Sequence, residues 1–157
     1  MRNIIIFGFC LVLLSGCQIT KKEEIKENNS KVINPLVEYS SLEECEQIVG
    51  FLLKIPKCDG EYIYRVINNE IIEVTIKKEI DTISIRKGVG SEDISGYYSD
   101  SVIVTYEIDN MEIIGKGDNC LNIIYSATWH SDKYTFALYS KEGITQSELT
   151  SLITEIE

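Results

Sequence analysis

The sequence predicts an α+β fold: a single domain with an N-terminal helix, a curved antiparallel sheet of about seven strands and a C-terminal helix. Two segments, one around residue 45 and one at the C-terminus, repeat apolar residues at helical spacing. Between them, apolar and polar residues alternate with a period of two, and clusters of Asp, Asn, Gly and Ser separate the runs. Such short connections favour antiparallel pairing, so we expect both helices to pack on one face of the sheet.

The first helix is predicted within SSLEECEQIVG, residues 40–50. Ser40 or Ser41 can cap its N-terminus, and a glutamate three residues later can complete a capping box. Gly50 suits the left-handed residue that ends many helices. The helix is short, and its apolar face needs a sheet to cover it.

Seven strands are predicted after this helix. They comprise residues 62–67, 70–77, 81–87, 102–108, 111–116, 121–128 and 134–140. Asn68-Asn69 suits a tight hairpin turn because asparagine tolerates positive φ. A second helix is predicted within residues 145–157, with Thr145 or Ser147 as its cap.

The N-terminus has the anatomy of a lipoprotein signal peptide. Arg2 precedes an apolar run at residues 4–14, which is shorter than the roughly 20 residues that span a bilayer. Leu14-Ser15-Gly16-Cys17 follows and resembles the lipobox of bacterial lipoproteins, in which cleavage leaves the cysteine as a lipidated N-terminus. We expect residues 1–16 to be the signal peptide and Cys17 to carry diacylglyceryl and acyl chains such as palmitate. An ordinary secretory signal with an incidental cysteine is the alternative.

These features predict a protein anchored to the outer side of the cell membrane. Residues 17–34 comprise the lipidated cysteine and a polar, flexible tether, and residues 35–157 form the single domain. The domain carries 10 Lys and Arg against 22 Asp and Glu, a balance of −12. Its expected partners are therefore the lipid bilayer, through the diacylglyceryl cysteine, and an envelope protein, peptide or wall component, but not nucleic acid.

Three cysteines remain after Cys10 is removed and Cys17 is acylated. They are Cys45, Cys58 and Cys120, and an odd number cannot all pair within one chain. A Cys45–Cys58 disulfide is one interpretation, because export permits oxidation. The alternative is that these residues are small, buried and apolar.

No combination of residues in the sequence enforces nucleophilic catalysis. His130 is the only histidine, with Asp132 two residues later and Cys120 before the preceding strand. A Cys-His pair needs contact between its side chains, which this spacing does not ensure. The segment around His130 is more simply a hairpin connection, so we predict no catalytic residue, no metal site and no cofactor.

The segment RKGVGSEDISGYYSD, residues 86–100, interrupts the strand pattern with three glycines, acidic residues and two tyrosines. We expect Ser91 to cap a single helical turn through residue 95. The candidate ligand-binding residues are Arg86, Glu92, Asp93 and Ser95. Arg86, Glu92 and Asp93 form either an internal ion-pair clasp, which we favour, or the rim of a ligand site.

Three phrases of the sequence, NPLVEYSSLEECEQIVGF, ISIRKGVGSEDISGYY and ATW, carry a resemblance. Together they resemble a family of uncharacterised extracytoplasmic domains of Gram-positive bacteria, often small lipoproteins or domains tethered behind one transmembrane segment. The resemblance covers roughly Asn34 to Glu157. It implies no assigned reaction, cofactor or catalytic residue. Cys45 stands where the family pattern has alanine, which favours a packing role over a disulfide.

The leading hypothesis is a non-enzymatic, membrane-anchored binding or interaction module. One alternative is an envelope hydrolase that uses surface carboxylates such as Glu92 and Asp93 as acid and base. Another is a calcium-dependent adhesion or stabilising module, because the acidic loop supplies hard oxygen ligands.

Overall fold

The structure, a computed structural model, describes residues 36–99, 101–118 and 120–157. Over these residues the chain is an α+β domain with two helices and one eight-stranded antiparallel sheet, which confirms the predicted fold class. The predicted signal peptide, Cys17 and the tether, residues 1–34, lie outside the described residues.

The described elements follow the predicted alternation of helix and strands. In chain order they are β1 Leu36–Tyr39, α1 Leu42–Val49, β2 Glu61–Ile67, β3 Ile71–Lys77, β4 Thr82–Val89, β5 Val102–Ile108, β6 Met111–Asp118, β7 Ile123–Ser131, β8 Tyr134–Ile144 and α2 Gln146–Glu155. The strands lie in the order β1-β2-β3-β4-β8-β7-β6-β5, and every neighbouring pair is antiparallel.

The prediction of seven strands omitted β1. This four-residue strand pairs with β2, with Leu36 opposite Ile67 and Tyr39 opposite Tyr64. Four residues place only two side chains on each face, so the alternation is too short to separate a strand from a loop. The described domain therefore begins with a strand rather than with the first helix.

Helix α1 begins and ends as predicted. The Ser41 hydroxyl accepts a hydrogen bond from the backbone N–H of Glu44 at 3.3 Å, and the Ser40 N–H donates to the Glu44 carboxylate at 3.0 Å. Gly50 has φ 79°, and its N–H donates to the Glu46 carbonyl at 2.8 Å. Side chains and one left-handed glycine thus satisfy backbone groups that the helix leaves unpaired at its ends.

Helix α2 begins at the first of its two predicted caps. Thr145 and Glu148 form a capping box: the Thr145 N–H donates to the Glu148 carboxylate at 2.8 Å, and the Glu148 N–H donates to the Thr145 hydroxyl at 3.3 Å. Leu149 and Ile153 are buried on the face that meets the sheet. The spacing of these apolar residues predicted this face.

Asparagine and aspartate form the tight hairpin turns. Asn68 and Asn69 have φ of 54° and 60°, as the predicted β2–β3 turn requires. Asp109 and Asn110 also have positive φ, in the turn between β5 and β6. Both pairs have the positive φ values of a turn that matches the twist of the strands it joins.

One long connection sets the topology of the sheet. After β4 the chain does not enter the neighbouring strand but reaches β5 at the far edge, and β6, β7 and β8 then return to β4. Val89 ends β4 opposite Tyr134, at the start of β8, whereas Val102 begins β5 opposite Gly117, near the end of β6. The crossover segment, residues 90–99 and 101 as described, therefore passes diagonally from one end of the sheet to the other.

The two faces of the sheet have different coverings. One hydrophobic cluster joins Cys45 of α1 and Leu149 of α2 to sheet residues such as Ile85 and Leu138, so both helices cover one face, the core face. The opposite face, which includes Glu73, Arg86 and Tyr139, is called the open face below. The crossover segment lies there, because its Tyr97 ring packs 5.5 Å from the Tyr139 ring.

Candidate functional site

Arg86, the first candidate residue, joins the crossover segment to the open face. Its Nε and Nη2 atoms lie 2.7 and 2.6 Å from Oε2 of Glu73, which is opposite it on β3, and its Nη1 donates to the Ile94 carbonyl at 2.9 Å. The side chain of Glu73 is only 6% exposed, and its second oxygen, Oε1, lies 3.3 Å from Nη1 of Arg65. Two guanidinium groups thus compensate one buried carboxylate, as a charge removed from water requires.

Asp93 and Ser95 form a second attachment of this segment. Asp93 accepts hydrogen bonds from the Lys116 ammonium at 2.8 Å and from the Ser95 N–H at 2.9 Å. Partial burial tends to raise the pKa of Asp93, but the hydrogen bonds from Lys116 and Ser95 together lower it to about 2. The predicted helical turn capped by Ser91 is wrong, because Asp93 makes the local turn instead and residues 91–95 are not helical.

The four candidates do not converge on one site. Glu92 is exposed, and no ion pair among the described residues includes it. Arg86 and Ser95 line a groove of about 490 Å³, whose other lining residues are Ser84, Gly96, Tyr97, Tyr98 and Tyr139. The favoured ion-pair clasp among Arg86, Glu92 and Asp93 is wrong, because Arg86 pairs with Glu73 and Asp93 pairs with Lys116. The groove presents mainly rings and hydroxyls. The role of these residues as a ligand rim stays a prediction.

The prediction that His130 lies in a hairpin connection is wrong: His130 lies on β7, and the connection in the structure begins at Asp132. Its Nδ1 is 2.9 Å from the hydroxyl of Thr135, on β8. Cys120 precedes Ile123, the first residue of β7, and is exposed. Ile123 and His130 are seven positions apart along β7, about 23 Å at roughly 3.3 Å per residue, so the side chains of Cys120 and His130 are not within reach of each other.

Cys45, Cys58 and Cys120 are free thiols in the structure, so it does not contain the Cys45–Cys58 disulfide weighed from the sequence. Cys45 is fully buried, and burial raises the pKa of its thiol. Among residues 36–99, 101–118 and 120–157, no three His, Cys, Asp or Glu side chains are grouped closely enough to hold a metal ion. In the same residues, no helix has the length and hydropathy needed to cross a membrane.

A different site lies at one end of the core face, where Lys87 is enclosed by aromatic rings. Only 8% of Lys87 is exposed, and its ammonium donates a hydrogen bond to the Leu52 carbonyl at 2.7 Å. The same ammonium lies 4.5 Å from the ring centroid of Tyr134, 4.9 Å from that of Phe136 and 5.9 Å from that of Phe51. Each of these rings presents a region of negative potential to a cation.

Burial lowers the pKa of Lys87, although the charges of Glu157 and Glu46 act in the opposite direction. An ammonium has three protons, and the described residues offer one hydrogen-bond acceptor to them. Ring faces stabilise a cation but do not replace hydrogen bonds fully. Lys87 is therefore a buried cation that can still gain from an anionic partner.

Lys87 lines a cavity of about 430 Å³, within the range of small-ligand sites. Its buried part is aromatic: Trp129 stacks on Phe136 with ring centroids 5.4 Å apart and an interplanar angle of 7°. Asp109 and Asp132, both exposed, lie at its mouth. We call this site the Lys87 cavity.

Sequence reasoning missed this site, although one signal was present. Ile83, Ile85 and Lys87 alternate along β4, so a lysine occupies the third position of an otherwise buried face. A charged residue in a buried position needs either a partner or a function. The pairing of Lys87 with Phe136 depends on the long-range β4–β8 contact, which the local sequence does not reveal.

Comparison with known proteins found no matching protein-family model, curated protein or solved structure. The resemblance to extracytoplasmic lipoprotein domains therefore remains a prediction from the sequence.

Proposed function

We propose that this chain is a lipid-anchored binding module on the extracytoplasmic face of the membrane, without enzymatic activity, and that its ligand occupies the Lys87 cavity. One observation carries the proposal: a lysine that is more than nine-tenths buried, and that has one backbone acceptor among the described residues, lines an aromatic cavity of about 430 Å³. Clefts with an apolar lining and a few convergent polar groups are typical of small-molecule sites. The location rests on the lipobox sequence that ends at Cys17.

The candidate catalytic groups support binding rather than turnover. Cys120 precedes the first residue of β7, whereas His130 lies near the end of that strand. The pKa of Asp93, about 2, is too low for a general acid near neutral pH. No observation specifically favours the envelope hydrolase or the calcium-dependent module.

Ligand binding can be measured directly, because Trp129 is the only tryptophan of the chain and lines the cavity. The full chain in detergent micelles would be titrated with a panel of amino acids, short peptides, organic acids, amines and sugars, with its emission and melting temperature recorded. At least one class should change both signals, and Lys87→Met should abolish the change.

The matched control is Lys141→Met, which removes an exposed lysine outside the cavity. This variant should bind as the unmodified chain does. The proposal fails if no member of the panel changes the emission, or if Lys87→Met leaves every response intact.

A further inference from the structure

We infer that the ligand of the Lys87 cavity is zwitterionic: a free amino acid or a short peptide with an apolar side chain. The inference rests on the proposed function and names its ligand class. Three parts of the cavity support it: a buried cation, an aromatic wall and a mouth with free carboxylates.

Lys87 suits the carboxylate of such a ligand. Its ammonium donates to the Leu52 carbonyl, with no second acceptor in the described part of the chain, and lies over Tyr134 and Phe136. The rings and the carbonyl hold the ammonium in place, so a carboxylate would meet a positioned donor. A charge-assisted hydrogen bond in a site of low dielectric is stronger than the same bond in water.

The mouth suits the ammonium of the same ligand. Asp109 and Asp132 lie at positive-φ positions of two tight turns, and no ion pair among the described residues involves either carboxylate. Glu157 also lines the cavity, but Lys54 holds it at 3.1 Å. Lys133 is a further cation near the cavity, with its ammonium 5.3 Å from the Tyr134 ring centroid. Asp109 and Asp132 thus line the cavity with carboxylates that no cation of the described residues pairs with.

The wall between these charges suits an apolar body. Trp129 and Phe136 are 2% and 3% exposed and stack on each other, while Met111 and Ile153 also line the cavity. Since Trp129 and Phe136 are already almost fully buried, the apolar area open to a ligand comes chiefly from the half-buried Met111 and Tyr134, and a ligand side chain placed here would bury that area.

Ligands with a single charge fit this arrangement less well. An anion would meet the carboxylates of the mouth and a chain with a formal net charge of −10. A cation would pair with the carboxylates of the mouth but would be repelled by the ammonium of Lys87. Only a zwitterion pairs with both ends of the cavity at once.

A matched probe series tests the ligand class. L-Phenylalanine, phenethylamine and 3-phenylpropionate share one aromatic body and differ in their charged groups, and alanylphenylalanine represents a short peptide. Each would be titrated against the full chain with Trp129 emission as the signal. Phenylalanine or the dipeptide should bind at least about tenfold more tightly than both singly charged probes.

Variants separate the two ends of the cavity. Lys87→Met should lower the affinity for the preferred zwitterion at least about tenfold and leave the affinity for phenethylamine unchanged or higher. The Asp109→Asn/Asp132→Asn double variant changes two exposed turns, where folding is little disturbed. It should lower the affinity for the zwitterion and raise the affinity for 3-phenylpropionate. Lys133→Met, the matched lysine outside the buried end, should change affinity less than about threefold.

The results also separate this inference from the proposed function. If a singly charged probe binds as tightly as both zwitterions, or if the panel yields a ligand but neither zwitterion binds, the inference is overturned and the binding function stands. If nothing in the panel binds, both are overturned.

Discussion

Two buried charges, Lys87 and Glu73, are accommodated differently on the two faces of the sheet. Glu73 on the open face is compensated by two guanidinium groups, those of Arg65 and Arg86. Lys87 on the core face has ring faces and one carbonyl, but no carboxylate of the described residues lies within ion-pairing distance of it. Since a buried charge without an ion-pair partner is costly, the environment of Lys87 calls for a functional explanation, although the charges of Glu157 and Glu46 offset part of that cost.

Asp93 should titrate well below an ordinary aspartate. Its folded pKa is about 2 against a usual 3.8, so its interaction with Lys116 stabilises the fold above pH 3.8 and is lost as pH falls toward 2. Asp93→Asn should remove this part of the pH dependence. Because the side chain is 48% exposed, the contribution to the free energy of unfolding should be small.

The measurement is the ¹³C chemical shift of the Asp93 carboxyl as a function of pH, together with urea unfolding of both proteins. Glu92→Gln is the control, since Glu92 is exposed in the same segment. An Asp93 pKa close to 3.8 would contradict the ion pair with Lys116.

At the scale of the element, the C-terminal part of β8 depends on Gly143. The β7–β8 register shifts between Ile124 and Ser126, and Gly143 lies beside this irregularity with φ 82°. A Cβ atom at Gly143 would overlap the Ile123 side chain and lie 2.9 Å from the Tyr125 ring. Gly50, which ends α1, has φ 79° but open space around the same position.

Alanine at these two glycines should therefore have different effects. Gly50→Ala should destabilise by about 1–2 kcal/mol, the usual cost of a left-handed conformation. Gly143→Ala should lower the free energy of unfolding by about 1–3 kcal/mol more than Gly50→Ala does, because it adds steric overlap to the same backbone strain. Urea unfolding of the two variants measures the difference, and equal losses would show that the neighbours of Gly143 move aside freely.

At the scale of the whole molecule, lipid anchoring through Cys17 is a prediction on which the proposed location depends. Metabolic labelling with palmitate should acylate the unmodified chain, and mass spectrometry should find a mature N-terminus at residue 17. Cys17→Ser should abolish both the label and the cleavage, because serine has no thiol to form the thioether. Cys10→Ser removes a cysteine from the predicted signal peptide and should change neither result; palmitate retained in Cys17→Ser would contradict the lipobox assignment.

The candidate site was less predictable than the fold. Arg86, Asp93 and Ser95 were identified from the composition of one segment, but their partners Glu73 and Lys116 come from other strands. Such partners depend on which strands become neighbours. Strand β1 was missed for a related reason: its four residues are ordered by pairing with β2 and not by a pattern of their own.

The sequence by itself determined the α+β class and the hairpin turn at Asn68-Asn69, and it narrowed the N-terminal cap of each helix to two residues, because these features depend on residues close together in the chain. Only the tertiary structure decided the strand order, in which β4 pairs with β8 and the crossover segment reaches the far edge. That pairing places Lys87 opposite Phe136 and creates the Lys87 cavity. The physical reason is that local conformation follows from neighbouring residues, whereas the enclosure of a buried charge depends on contacts between distant ones.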